Sequence, residues 1–235
     1  MNDSRQVPKA VTAIVAVLAL GVSAWVVFTS PLFDINTIEV RGNRQLSDHE
    51  VVKLSGAHTG SNLLTVSLEE TRRSLMRSPW IANAEATRSL PSTLVLRVRE
   101  RAAVAWLRDP GGWAAVAGDG VVVERGTGAP DGLVSLGSTP TSLAVGARAG
   151  GLDGPLRVAA SLTPALRWTV EEARSVGKEI ELLMDDGARV LYGEAESLGA
   201  KNAALASMLR YARKNQIEIE YLDVRSPAAP ALRPA

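Results

Sequence analysis

From Ala10 to Thr29 the chain carries no charged residue, and Val, Ala and Leu dominate the run. Twenty residues of this kind, wound as a helix, rise about 30 Å, the thickness of a bilayer's hydrocarbon core. A buried helix of a water-soluble domain would normally keep a polar stripe, and this run has none. Arg5 and Lys9 precede it while Asp34 and Glu39 follow, so the positive-inside bias predicts that residues 1–9 are cytoplasmic and that everything beyond Ser30 lies outside. Trp25 and Phe28 fall at the level of the outer interface, and Pro31 ends the helix. The small residues Val22-Ser23-Ala24 would also suit a signal peptidase. Apolar character continues past them through Phe28, beyond a usual signal core, which favours a retained transmembrane helix over residues 10–29.

Beyond the anchor the period changes. Ile38 and Val40 alternate with Thr37, Glu39 and Arg41, the pattern of a half-buried strand that stops at Gly42-Asn43. Ser47 and Glu50 have capping-box spacing, Leu46 and Val51 have that of a hydrophobic staple, and Gly56 is a natural stop, so a short helix is expected between them. Ser67 and Glu70 repeat the capping box ahead of a second helix, with Leu68, Leu75 and Met76 on one stripe and Pro79 closing it. Ile81 to Arg88 and Leu94 to Arg101 then flank a Pro91 turn and read as a hairpin. Strand, helix, helix, strand, strand makes an α+β unit in which two helices cover one face of a small sheet, here over residues 33–101.

From residue 102 short apolar runs, Val104 to Leu107, Trp113 to Ala117 and Val121 to Val123, are separated by glycine-rich turns, which predicts a mainly antiparallel β domain over 102–225 with flanking helices. Asp119-Gly120 and Asp186-Gly187 sit between apolar runs, where residues tolerant of positive φ make tight turns; none of the glycines has the spacing and following lysine of a phosphate loop. Gly126 to Gly151 reads as loop. A helix opens at Gly154-Pro155 and closes at Pro164, and another follows Ser197 with Leu198, Leu205, Met208, Leu209 and Ala212 at helical spacing. In the last strand, Ile217 to Arg225, the distal half is apolar on both faces through Tyr221, Leu222 and Val224. A strand this close to the terminus often lies at a sheet edge, where unpaired backbone groups accept a partner's strand; the competing reading is that Leu222 and Val224 complete the core. Ser226 to Ala235, with three prolines, reads as a flexible tail.

Composition mainly removes possibilities. A net charge of +1 and 4% aromatic residues over 235 residues leave neither the field nor the stacking surface for nucleic acid. The absence of cysteine excludes disulfides, thiolate catalysis and cysteine-based zinc sites. His49 lies in the capping box and His58 in a turn, neither with a metal-ligand pattern, so neither a metal nor a cofactor is expected. An anchored serine–lysine peptidase is the best enzymatic alternative, but no local pattern pairs a serine with Lys53 or Lys178; the chain reads as a non-enzyme.

With the anchor in front, Phe33-Asp34-Ile35, Ile38-Glu39-Val40-Arg41-Gly42-Asn43 leading to Leu46-Ser47, Asn62-Leu63-Leu64, Ser78-Pro79-Trp80-Ile81, Ala84-Glu85-Ala86-Thr87-Arg88, Pro91-Ser92-Thr93-Leu94 and Glu100-Arg101-Ala102-Ala103-Val104-Ala105 follow in an order that resembles the FtsQ/DivIB family of bacterial division proteins. The first module is similar to that family's POTRA domain, and Asp223-Val224-Arg225 keeps the expected place near the end. The resemblance implies a bitopic, non-catalytic scaffold of the division machinery at the septal membrane. It also implies FtsB/DivIC-like and FtsL-like partners and, through them, control of the septal peptidoglycan synthase. It turns the last strand into an expected partner-binding surface with Tyr221, Leu222, Val224, Arg225 and Ser226, and Lys201 on the preceding helix. On this reading, aspartate at Leu222 and Val224 would abolish partner capture and spare the fold. A translocation or chaperone component bearing a POTRA module is the alternative; too few residues follow for an outer-membrane barrel.

Overall fold

The computed structural model describes residues 9–128 and 130–235. Residues 1–8, most of the segment read as cytoplasmic, lie outside that range, as do the side chains of residues 9–12, 23, 24 and 27–29. The apolar run forms a helix, α1 (Lys9–Thr29), although among the described residues no helix is long and apolar enough to cross a membrane. The chain divides between Glu100 and Arg101 into two compact units.

In the first unit a single 3-10 turn (Pro31–Phe33) is capped by the Ser30 hydroxyl, which accepts from the Leu32 N–H. Then come β1 (Thr37–Arg41), α2 (Asp48–Ser55), α3 (Leu68–Leu75), β2 (Ile81–Ser89) and β3 (Thr93–Glu100). The central strand is β3, antiparallel to β2 and parallel to β1. The punctuation of α2 is that read from sequence. Ser47 Oγ accepts from the Glu50 N–H, Glu50 Oε2 accepts from the Ser47 N–H at 2.8 Å, and Gly56 ends the helix at φ 70°. At α3 only half of the expected box forms: Ser67 caps the Glu70 N–H, with no reciprocal bond from the Glu70 carboxylate. Leu94, Leu96 and Val98 on β3 pack with Ile35, Val51, Leu63, Leu75 and Ile81 into one buried cluster.

The second unit is a nine-stranded sheet with helices against it. Its elements are β4 (Ala103–Asp109), β5 (Gly112–Ala117), β6 (Val122–Gly126), β7 (Val134–Ser138), α4 (Asp153–Ser161), a one-turn α5 (Pro164–Arg167), β8 (Val170–Val176), β9 (Glu179–Met184), β10 (Arg189–Gly193), α6 (Leu198–Asn215), β11 (Ile219–Asp223) and β12 (Ala231–Pro234). The order is β12-β11-β10-β9-β8-β7-β4-β5-β6. Pairing is antiparallel except for β4 with β7, β7 with β8 and β10 with β11. Helical crossovers explain two of the exceptions: α4 and α5 return the chain between β7 and β8, and α6 does so between β10 and β11. Strand β7 arises inside the stretch read as loop. The expected flexible tail is also corrected, because after a turn closed by the Ala229 N–H on Ser226 O the chain comes back as β12 against β11.

One end of this sheet is closed by a tied loop. The β6 edge is covered at Val122, whose N–H donates to Ala147 O at 2.9 Å and whose carbonyl accepts from Gly146 at 2.8 Å. What holds that loop is Asp109, whose side chain is fully buried. Its Oδ2 accepts from the Leu143 N–H at 2.9 Å, and its Oδ1 accepts from Gly111 N–H at 2.8 Å and Arg125 Nη2 at 2.6 Å. Arg125 in turn donates to Leu143 O at 2.6 Å and to Ser142 Oγ. The bond from Leu143, with those from Gly111 and Ser142 and the Arg125 charge, holds the Asp109 carboxyl below its ordinary value against the opposing effect of burial. A carboxylate depressed on folding contributes stability that is complete above its unfolded value, about 3.9, and is lost as pH falls from there through the folded value. Thermal melts of Asp109→Ala should show a lowered midpoint for this unit at neutral pH and a shallower decline in acid than the unsubstituted chain; identical acid profiles would refute the assignment.

Candidate functional site

The strand expected to bind a partner is not an edge. Between β10 and β12, β11 pairs Arg189 with Tyr221, Val190 with Leu222 and Leu191 with Asp223 on one side, and Tyr221 with Arg233, Leu222 with Leu232 and Asp223 with Ala231 on the other. Leu222 and Val224 are fully buried in the core beside Val190 and Leu205, so the expectation that they present an apolar surface is corrected. The two-faced apolar pattern has a local cause. The β11–β12 register shifts between Ile219 and Tyr221, which lets Ile219 pack on the same core as Leu222 although three positions separate them.

Lys201 is corrected in the same way. It is 5% exposed, and its ammonium donates to Tyr192 O at 2.9 Å and Glu194 O at 2.8 Å, 5.3 Å from the centre of the Tyr192 ring. Next to it Tyr192 Oη donates to Asn202 Oδ1 at 2.9 Å, and Asn202 Nδ2 donates to Ser161 O and Oγ. Burial pushes the Tyr192 hydroxyl up to about 12. These bonds join the start of α6 to the end of β10 and to α4. Lys201 therefore holds the scaffold behind the strand and does not face solvent.

Three of the expected residues stay reachable. Tyr221 is half-buried beneath Arg233, whose guanidinium lies 5.8 Å from the ring centre and bonds Glu220 at 2.8 Å. Arg225 is exposed and bonds Asp223 at 2.6 Å; that bond leads the causes that lower the Asp223 carboxyl and raise the guanidinium. Its stem crosses Gly193, where an added Cβ would meet Arg225 Cγ at 2.9 Å and where φ is already 74°. Only glycine leaves that path open. Ser226 is exposed at the turn into β12.

The open edge is β12. Its outer side pairs with nothing among the described residues. The Ala235 N–H donates inward to Glu218 O at 3.0 Å, so by strand alternation Ala231 and Arg233 aim their backbone groups at β11, and Leu232 and Pro234 aim theirs outward. Pro230, next in that outward series, and Pro234 have no N–H. Leu232 is thus the one outward donor of the strand, flanked by acceptors alone. Sequence reading missed this edge; its signal was the Pro227-Ala228-Ala229-Pro230 turn followed by a short apolar pair.

Such an edge can form main-chain hydrogen bonds with an extended segment, and Tyr221 on β11 and Arg225 and Ser226 just after it lie next to β12. Among the described residues no cluster of three His, Asp or Glu side chains could hold a metal.

Comparison with known proteins gives matches to "POTRA domain, FtsQ-type" over residues 33–101 and to "Cell division protein FtsQ/DivIB, C-terminal" over residues 82–225. The cell division protein FtsQ of Streptomyces collinus is 30% identical over 230 residues, covering 94% of this chain and 86% of the relative. FtsQ of Corynebacterium glutamicum is 26% identical over 201 residues, with coverage of 84% and 86%, and DivIB of Clostridium tetani is 23% identical over 110 residues, with coverage of 47% and 42%. The second family match ends at residue 225, before β12.

Removing the buried Leu222 side chain should cost about 2–5 kcal/mol in Leu222→Ala, and Leu222→Asp should cost more by placing a charge in the same cluster. Circular dichroism and denaturant titration of both variants check this; an undiminished midpoint in Leu222→Asp would return the residue to the surface.

Proposed function

The chain belongs to the FtsQ/DivIB family of cell division proteins, and from that premise we propose that it is a bitopic scaffold of the divisome that captures its partners by strand addition at β12. Residues 10–29 anchor it, residues 1–9 lie in the cytoplasm, and the two units stand outside the membrane at the division septum. Support for the anchor is an uncharged run of twenty residues flanked by Arg5 and Lys9 on one side and Asp34 and Glu39 on the other. The POTRA-like unit of residues 33–101 contributes recruitment contacts. The unit of residues 102–225, extended by β12, docks FtsB/DivIC-like and FtsL-like proteins and through them helps to control the septal peptidoglycan synthase. It works by assembly, without chemistry of its own.

The observation that carries the docking part is the asymmetry of the nine-stranded sheet: the β6 edge is covered by a tied loop at Val122, and the β12 edge has no strand beside it among the described residues. A free edge offers hydrogen bonds along its backbone, and side chains beside it select the sequence that pairs. Tyr221, Arg225 and Ser226 are the selecting side chains in this proposal, whereas Leu222, Val224 and Lys201 act from behind by keeping β11 in place.

Midcell fluorescence of a tagged full chain and filamentation on its depletion are expected; uniform membrane fluorescence with normal division would refute the scaffold. For the edge, Leu232→Pro removes the outward N–H, while Leu232→Ala removes the side chain and keeps that donor. Co-purification of an FtsB/DivIC-like partner should fall at least tenfold with proline, worth about 1.4 kcal/mol, and change less with alanine. Equal capture by the two variants would show that main-chain pairing at β12 is not the contact.

A further inference from the structure

The first unit has one end unlike the rest of its surface. Three segments meet there. Residues 30–33 leave α1 and form the 3-10 turn, residues 59–68 run from the link between α2 and α3 into the first residue of α3, and residues 89–94 turn β2 into β3. They are stitched together by backbone bonds: Ile35 N–H to Ser61 O at 2.8 Å, Leu63 N–H to Phe33 O at 2.7 Å, Gly60 N–H to Ile35 O at 2.9 Å and Asn36 N–H to Ser92 O at 2.9 Å. None of the three segments contains a charged residue.

Two large apolar side chains stand out from this end, Leu32 and Leu90, each 63% exposed. The charges that border it are Asp34, which is half-buried, Glu69 and Glu70 in the first turn of α3, of which Glu69 is paired with Arg72, and Arg88, whose guanidinium is turned onto carbonyls, donating to Leu63 O at 2.6 Å, Val66 O at 2.7 Å and Leu64 O. His58 lies just before the second segment. The opposite end of the same sheet is crowded with charge: Arg41, Arg44, Asp48, Glu50 and Glu100 gather where the Glu100 carboxylate accepts from the N–H groups of Arg44, Gln45 and Leu46. The two ends are separated by the length of β3, roughly 23 Å at about 3.3 Å per residue.

We propose that this uncharged end is a seat for the lipid interface, with Leu32 and Leu90 entering the boundary between headgroups and acyl chains. The proposal rests on the reading of α1 as the membrane anchor. Chain continuity then selects the occupant. Thr29 ends α1 and Pro31 opens the turn that carries Leu32, and two residues of extended chain span at most about 7 Å. Leu32 therefore cannot leave the immediate neighbourhood of the bilayer surface. Leu90 belongs to the same end, since Ser92 O is bonded to Asn36 and Thr37. Apolar side chains gain by entering that boundary, segments without charge avoid the cost of desolvating an ion there, Glu69 and Glu70 stay at the rim among the headgroups, and an arginine already bonded to carbonyls is tolerated beside them. The seat would hold β1, β2 and β3 in a fixed attitude to the membrane, instead of letting the unit swing on the short segment after α1.

The chain has no cysteine, so single ones can be introduced and labelled without background. The full chain is reconstituted into phosphatidylcholine–phosphatidylglycerol vesicles with nitroxides on the lipid acyl chains. An environment-sensitive fluorophore is placed in turn at Leu18→Cys within α1, Leu90→Cys at the proposed seat and Gln45→Cys at the charged end. The expected result is loss of fluorescence and a blue shift at positions 18 and 90 and neither at 45. Quenching at 18 without quenching at 90 overturns the seat while leaving the anchor intact, and leaves that face to a protein partner. Quenching at 90 and 45 alike overturns it by showing adsorption without orientation. Absence of quenching at 18 overturns the anchor and the seat with it.

Discussion

An open β-sheet has two ends, and each end leaves a row of backbone donors and acceptors that must be covered, blunted or used. The second unit meets this constraint differently at its two ends. At β6 it folds a loop over the strand and ties the loop down through Asp109, a buried carboxylate that satisfies Leu143, Gly111 and Arg125 together. At β12 it leaves the row open but shortens it, because prolines occupy outward positions and remove their donors. A long unprotected edge would pair with any extended chain, whereas a short one with a single donor demands help from neighbouring side chains.

Behind that edge the requirement is rigidity. Leu222 and Val224 fill the core, Lys201 binds two carbonyls at the end of β10, and Asn202 joins Tyr192 to Ser161 of α4. The lysine has its hydrogen bonds without a carboxylate among its described partners. Ion–dipole bonds from the ammonium to those two carbonyls take the place of a counter-ion. The residues that first look like contacts thus brace the strand from within, and the open edge lies one strand further out.

The legibility of the sequence follows from how local each signal is. Ser47 and Glu50 announce α2 because both partners of the cap lie within one turn, and the alternation of Leu94, Leu96 and Val98 announces β3 because that strand is regular. A register shift inside a strand can hide its signal. In β8 the buried positions Val170 and Ala173 stand three apart because the pairing with β9 shifts between Val170 and Glu172, so period two is broken within the strand itself. Near Ile219 the same kind of shift puts apolar residues at both parities and imitates a two-faced surface. Lys201 could not be placed either, since its partners are backbone carbonyls and leave no letter in the sequence. At β12 the prolines that blunt the edge are also the residues that make the segment look unstructured.

A strand of four residues that can give only one hydrogen bond outward also has a kinetic meaning. Main-chain pairing over so short a stretch has few bonds to break before it lets go, so any segment held there has a lifetime governed by the side chains around it. An edge this short favours pairing that is easily undone over a permanent sheet.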